Sequence, residues 1–323
     1  MPSAGPKAGS RSNLETNQTP SSALIQSWDL SKAFQGQPVL QEVSLAVEAG
    51  EIFGFVGPNG AGKTTFLKCL IGVVRPDSGR AEVAGLDVQK QSLDIRRTVA
   101  YAPSETALYH RMKVKDLLAF AVAFHRRGFT MEPDRLLELF QLPPERKCGR
   151  LSHGMKRKLI LSQALAVQAP VLLLDEPMEG LDPEVRRQVE ELLRERAAQG
   201  TTIFFSSHDL ASVERICHRV GFLRSGTLLE VGSLSELLTR ASRRLHLYFR
   251  RPMDLAQLPQ GPKWHWEGAA NHWKLEFSDS LEQALAALQS LPLAGIRDAS
   301  GTLEDVFDAL YRPESANREA KPC

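Results

Sequence analysis

Cysteine is scarce and scattered. The four, Cys69, Cys148, Cys217 and Cys323, stand far apart and form no C-x-x-C pair. A reducing compartment with structural or incidental thiols is the simplest reading. Long apolar runs are missing too. The longest, Leu117 to Phe124, stops at His125-Arg126-Arg127, far short of the roughly 20 apolar residues that cross a bilayer. If this chain serves a membrane process, another chain must supply the membrane part. Neither sign of charge dominates: the net charge is +2, too balanced to argue for nucleic acid. Residues 1–22 are rich in Pro, Ser, Gly and Asn and lack an apolar h-region. They read as a disordered tail, not a signal peptide. The rest is ordinary: 323 residues, 42% hydrophobic and 24% charged, enough for one large or two ordinary domains with a sizeable core.

Gly57-Pro58-Asn59-Gly60-Ala61-Gly62-Lys63-Thr64-Thr65 organises the chain. It fits G-x-x-x-x-G-K-[ST] and sits between an apolar run, Glu51 to Val56, and a helical pattern through Phe66, Leu67, Leu70 and Ile71. Strand, glycine loop and helix in that order aim backbone N–H groups and a helix N-terminus at one point, where a polyphosphate belongs. Lys63 is expected to reach the β- and γ-phosphates, Thr64 to ligand Mg²⁺ through its hydroxyl, and Thr65 to lie nearer the α-phosphate.

The second strong signal is Val171-Leu172-Leu173-Leu174-Asp175-Glu176. Four apolar residues make a fully buried strand with two carboxylates at its C-terminal end, where α/β sheets hold ligands. Asp175 fits the Mg²⁺-holding carboxylate that partners a phosphate loop, and Glu176 the group that polarises the attacking water. Three weaker signals accompany it. Ser152 and Gly154 open a basic helix, with Ser152 a good N-cap and the helix end an anion-binding point. His208 ends the β-rich run Thr201 to Ser206, where it can contact a γ-phosphate. Phe34, late in an early strand (Ala23 to Phe34), is an aromatic that can stack on adenine or serve the core.

Taken together, the segments from about Leu24 to Leu238 resemble the ATP-binding subunit of an ABC transporter. Gly57 to Thr65 matches the Walker A loop and Leu172 to Glu176 matches Walker B. Leu151-Ser152-His153-Gly154-Met155 is similar to the LSGGQ signature, and Gly180-Leu181-Asp182 to the D-loop. The resemblance implies an α/β, P-loop NTPase (ABC ATPase) domain at residues 23–241 with a helical subdomain at about 106–165. A small α+β module follows at 242–312, with strands at Leu245–Phe249, Trp264–Trp266 and Trp273–Phe277 and helices at Leu281–Leu291 and Leu303–Tyr311; a tail covers 313–323.

The resemblance further implies ATP and Mg²⁺ as cofactors and a head-to-tail pair, most simply of identical subunits. In that pair Walker A of one copy and the signature of the other close over one nucleotide. A separate integral-membrane permease is the implied partner, at the cytoplasmic face, and no nucleic acid is expected. His208 takes the position of the switch histidine and Phe34 that of the adenine-stacking aromatic. Lys63, Glu176 and His208 are the implied catalytic groups; residues 57–65, Ser152, Gly154 and Phe34 the nucleotide contacts; and Thr64, Asp175 and Ser104 the metal contacts.

There are departures. His153 and Met155 replace a glycine and a glutamine of the signature, while Ser104 stands where the family carries a glutamine. The Tyr101–Glu105 stretch, the C-terminal module and Leu303–Phe307 resemble the single-domain exporter branch. Two other readings remain: a soluble ABC ATPase acting on ribosomes or DNA, and, motivated by Ser104, a regulatory subunit that binds ATP with little hydrolysis.

Overall fold

The computed structural model describes residues 23–123, 125, 133–240, 243–261, 264–277, 281–298 and 301–311. The expected tails, together with Phe124 and Cys323, lie outside the described residues.

Three runs dictate the central sheet. β3 (Ile52–Val56), β7 (Val171–Asp175) and β8 (Thr202–Ser207) are buried at every position. Such unbroken runs belong in a parallel sheet covered on both faces. In chain order the first body consists of β1 (Ala23–Phe34), β2 (Gln37–Glu48), β3, α1 (Lys63–Leu70), β4 (Ser78–Val83), β5 (Leu86–Asp87), α2 (Ser92–Thr98) and β6 (Ala100–Ala102). It continues with α3 (Val114–Ala123), α4 (Pro133–Leu139), α5 (His153–Ala166), β7, α6 (Pro183–Ala198), β8, α7 (Leu210–Ile216), β9 (Arg219–Arg224), β10 (Thr227–Ser233) and α8 (Leu234–Arg240). The strands form two sheets. One has the order β10-β9-β3-β8-β7-β6, parallel except for β10. The other is antiparallel, β2-β1-β4-β5.

Each face of the six-stranded sheet carries its own core. On one side Phe53, Phe55, Phe66 and Phe204 stack at centroid distances of 5.0–5.8 Å, joining α1 and the antiparallel sheet to it. On the other, the apolar stripes of α3 to α8 pack on Val56, Leu172, Leu174 and Phe205. Register brings the strand ends level: Val56 pairs with Ser207, and Asp175 with Ser206. The loops after β3, β7 and β8 therefore open on one edge, the usual ligand position in such sheets.

Beyond residue 242, β11 (Arg243–Phe249), β12 (His265–Ala269), β13 (His272–Phe277), α9 (Leu281–Leu288) and β14 (Leu293–Asp298) form an antiparallel sheet, order β12-β13-β11-β14, with its own core around Leu247, Trp273, Leu275 and Leu288. The last helix, α10 (Leu303–Tyr311), departs from the sequence expectation, which grouped it with this module. It packs instead on the first body. Leu303 N–H donates to Glu214 (2.9 Å), Tyr311 Oη donates to the Leu223 carbonyl (2.7 Å), and Phe307 meets Phe222 at 6.5 Å between centroids. An ion pair from Arg244 on β11 to Asp305 ties the module to this returning helix. The periodicity of Leu303, Val306, Phe307 and Leu310 specifies an amphipathic helix but not the surface that receives its stripe. Three further elements, α7, β14 and the two-residue β5, were absent from the sequence reading. The first is a single short helix capped by Asp209, and the second is an edge strand with a register shift between Leu293 and Gly295.

Candidate functional site

The loop between β3 and α1 is shaped by glycines that no other residue replaces cheaply. A Cβ on Gly57 would lie 2.3 Å from the Leu223 carbonyl oxygen on the neighbouring strand, and Gly62, at φ +109°, is the N-cap of α1. Gly62 has no side chain to cap the helix, so the first-turn N–H groups of α1 stay available to an anion. Lys63 is buried and folds back: its Nζ donates to the carbonyls of Gly57 (2.6 Å) and Pro58 (3.2 Å) and lies 3.2 Å from Glu176 Oε1.

Around it the other candidates assemble. Thr64 Oγ1 donates to Asp175 Oδ2 at 2.8 Å. His208 meets Glu176 Oε2 twice, through Nδ1 (2.9 Å) and through its backbone N–H (3.3 Å). Glu176 holds a left-handed backbone, φ +51°, which costs a non-glycine residue about 1–3 kcal/mol and persists only where the surroundings impose it. A cavity of about 350 Å³ opens here, lined by Val39, residues 59–65, Ser104, Glu176 and Glu179. Walker A residues, Ser104 and Glu176 are thus brought to one space, with Asp175 and His208 bonded directly to its lining.

Three of the expected residues stand elsewhere. Phe34 is 47% exposed at the end of β1, with Lys32 Nζ 5.2 Å from its ring centroid, and is not among the cavity's lining residues. Ser152 caps α5, accepting from Met155 N–H at 3.3 Å, and Gly154 faces the Gly180 carbonyl. This helix tip lies beside the Gly180–Asp182 turn, and Lys158 on the same helix bonds Asp182 at 3.1 Å. The Val185 N–H and the Lys158 ammonium hold the Asp182 carboxyl below its usual range. Asp209, N-cap of α7, is lowered as well. Burial works against this, but the Ser212 hydroxyl and N–H and the Arg186 and Arg215 guanidiniums outweigh it.

Ser206 is one residue that sequence reasoning missed. Fully buried, it donates to Asp175 Oδ1 (2.6 Å) and accepts from the Glu176 N–H (3.0 Å). The only sequence signal was a hydroxyl at the end of a β-rich run.

The donor set suits a hard divalent cation. Thr64 Oγ1 and Asp175 Oδ2 already touch, both are oxygen donors, and Mg²⁺ takes one or two such ligands beside phosphate oxygens and water. Glu176 Oε1 is buried, and the Lys63 ammonium 3.2 Å away is its charge partner.

Fold and loop together define a P-loop nucleotide-binding protein of the doubly covered α/β class. The sequence pattern of the ABC transporter family matches residues 40–179. An uncharacterized ABC transporter ATP-binding protein of Synechocystis sp. is 37% identical over 229 residues, 67% of this chain and 64% of that protein. The ABC transporter ATP-binding protein YtrB of Bacillus subtilis is 34% identical over 215 residues, 66% of this chain and 73% of that one. A solved structure of an ATP-binding subunit of an ABC transporter superposes with a TM-score of 0.61 at 32% identity, covering 66% of this chain and 91% of that chain. The chain belongs to the ABC transporter ATP-binding family and is an ATP-hydrolysing motor subunit of that kind.

Proposed function

We propose that this chain drives export through a separate integral-membrane permease, working at the cytoplasmic face as a head-to-tail pair of identical copies. One observation carries the reading: within a single chain Lys63, Thr64, Asp175, Glu176 and His208 converge on one cavity, while the Ser152–Gly154 helix tip stands outside it. Each anion-binding helix end is then half of a site, and a second copy completes it. Among the described residues no helix is long and apolar enough to cross a membrane, which supports a permease supplied by another chain. Relatives named Nod factor export ATP-binding protein I in Burkholderia thailandensis (37% identical, 67% of this chain and 73% of that one) support the direction.

In the free chain Lys63 is held by Glu176 and two carbonyls. A γ-phosphate entering the cavity offers Lys63 a stronger partner and releases Glu176 to orient water. Lys63 and the first-turn N–H groups of α1 then neutralise charge developing on the transferred phosphoryl group. His208, bonded to Glu176 Oε2, keeps that carboxylate turned and faces the terminal phosphate. Thr64 and Asp175 would hold Mg²⁺, which would supply positive charge to offset that of the phosphate. Ser152 and Gly154 of the partner copy would close over the same phosphate, and an aromatic at Phe34 would cover the adenine.

Glu176→Gln tests this. It is expected to keep ATP binding, lose turnover by about 100-fold or more, and accumulate an ATP-bound dimer in size-exclusion chromatography. Full turnover by that variant sinks the assignment. A second reading rests on Ser104, whose short side chain lines the cavity: a subunit that binds ATP and regulates with little hydrolysis. Mg²⁺-dependent phosphate release by the purified permease complex decides between them.

A further inference from the structure

Arg157, on the second turn of α5, is 6% exposed. Its guanidinium spends its donors on main-chain carbonyls from two separate strand ends. Nη1 donates to Pro103 (3.1 Å) and Ser104 (2.5 Å), and Nη2 to Asp175 (3.4 Å) and Glu176 (2.5 Å). Its charge partner is Glu179, 3.7 Å from Nη2 and itself in the cavity lining. A buried cation aimed at backbone oxygens is costly to desolvate and is retained where its fork geometry is needed.

We propose that Arg157 is a positioning residue for ATP hydrolysis: one guanidinium clamps the carbonyl of the Ser104 loop to that of Glu176 and thereby sets the Glu176 carboxylate. This rests on the motor reading above. Two independent features support it. Glu176 stands at φ +51°, a conformation its surroundings must impose, and its carbonyl makes one of the two shortest bonds to Arg157. From the other side, Ser206 holds the Glu176 N–H, so the residue is gripped at both ends of its backbone. The Ser104 loop is fixed through its carbonyl, so its placement at the cavity does not depend on a long side chain at position 104.

Arg157 also rides on the helix whose N-cap is Ser152. Arg157 lies five positions beyond Ser152, about 7.5 Å along the axis. Any displacement of α5 as its tip engages the partner's nucleotide is transmitted, through a rigid helix, to the carbonyls that set Glu176. Engagement in one half-site is thus linked to the geometry of the water-orienting residue in the other.

The experiment uses the full chain with Mg²⁺ and ATP, comparing wild type, Arg157→Lys, Arg157→Met, Glu176→Gln and the double variant Arg157→Lys/Glu176→Gln. Lysine keeps the charge but cannot span both carbonyl pairs, so kcat is expected to fall about tenfold, and about 100-fold for methionine, with KM for ATP and the dissociation constant without Mg²⁺ each within threefold. Because Arg157 acts through Glu176, the double variant should turn over no more slowly than Glu176→Gln alone. A kcat within twofold of wild type for Arg157→Lys overturns the proposal. So does a full extra tenfold loss in the double variant, or a parallel loss of folding and ATP affinity in both single variants, which assigns Arg157 to stability only. If the wild-type chain itself releases no phosphate alone or with its permease, it is the motor reading that has failed, and Arg157 falls with it.

Discussion

Replacing Ser206 by alanine removes one oxygen from a site where that oxygen has two partners. It donates to Asp175 Oδ1 at 2.6 Å and accepts the Glu176 N–H at 3.0 Å, in a position closed to water. The lost bond is to an ionised carboxylate, worth about 1.5–3 kcal/mol, and the stranded N–H adds a desolvation cost of about 1–3 kcal/mol. The two overlap, so about 2–4 kcal/mol of stability is expected to go. For a domain of this size each kcal/mol moves Tm by about 2–4 °C, so the melt should fall on the order of 4–16 °C. The second consequence is local. With Oδ1 unsupported, Asp175 turns and Oδ2 leaves Thr64, the pair that would hold Mg²⁺. Support of this kind is worth about 10–100-fold in metal affinity, so the Mg²⁺ giving half-maximal turnover should rise by about that factor. Differential scanning fluorimetry reads the first effect and phosphate release across a Mg²⁺ series the second; Ser206→Thr, which keeps the hydroxyl, should lose much less of the Mg²⁺ response. A Ser206→Ala protein with a melt unmoved beyond about 1 °C and the wild-type Mg²⁺ response would refute the reasoning.

Gly57→Ala drives a Cβ to 2.3 Å from the Leu223 carbonyl oxygen, where backbone must move; ATP affinity is expected to drop at least about tenfold, with about 1–3 kcal/mol of stability lost to overpacking, and unchanged binding by isothermal titration would contradict this. Cys69, Cys148 and Cys217 are buried, and burial raises each thiol, Cys69 to about 12. These three should stay silent to a thiol reagent at pH 8 and react once the protein is unfolded in guanidinium; prompt labelling of two or more in the native protein, located by peptide mapping, would speak against the packing. Asp182 and Asp209 have folded values below the usual carboxylate range. Their contribution is fully present above the unfolded value of about 4 and is lost as pH falls below it through the lowered folded values. Acid unfolding followed by circular dichroism should therefore begin near pH 4 or below, and Arg186→Met, which removes a charge 2.7 Å from Asp209, should shift it upward. Onset well above pH 5 in the wild type, or no shift in the variant, would count against the assignment.

Most of the nucleotide half-site was legible in the chain because it is written contiguously. A buried strand, a glycine loop and a helix start occupy neighbouring residues from Glu51 to Ile71, and backbone rules alone turn them toward one point. The same holds for the apolar run into Asp175 and Glu176. Elsewhere pattern was informative about element type and silent about address. The stripe of α10 was readable, yet its attachment to Leu223 and Glu214 rather than to the C-terminal sheet was not.

What the sequence by itself determined, then, was the identity of the ligand-binding loop, the presence of a carboxylate pair at a strand end, and the family they belong to. Tertiary structure decided which side chains complete them: Ser206 opposite Asp175 through strand register, Lys63 against Glu176 across more than a hundred residues of chain, and Arg157 between two loops. The physical reason is range. Loop shape and helix polarity follow from adjacent dihedrals, whereas register and a buried ion's partners follow from how the whole core closes.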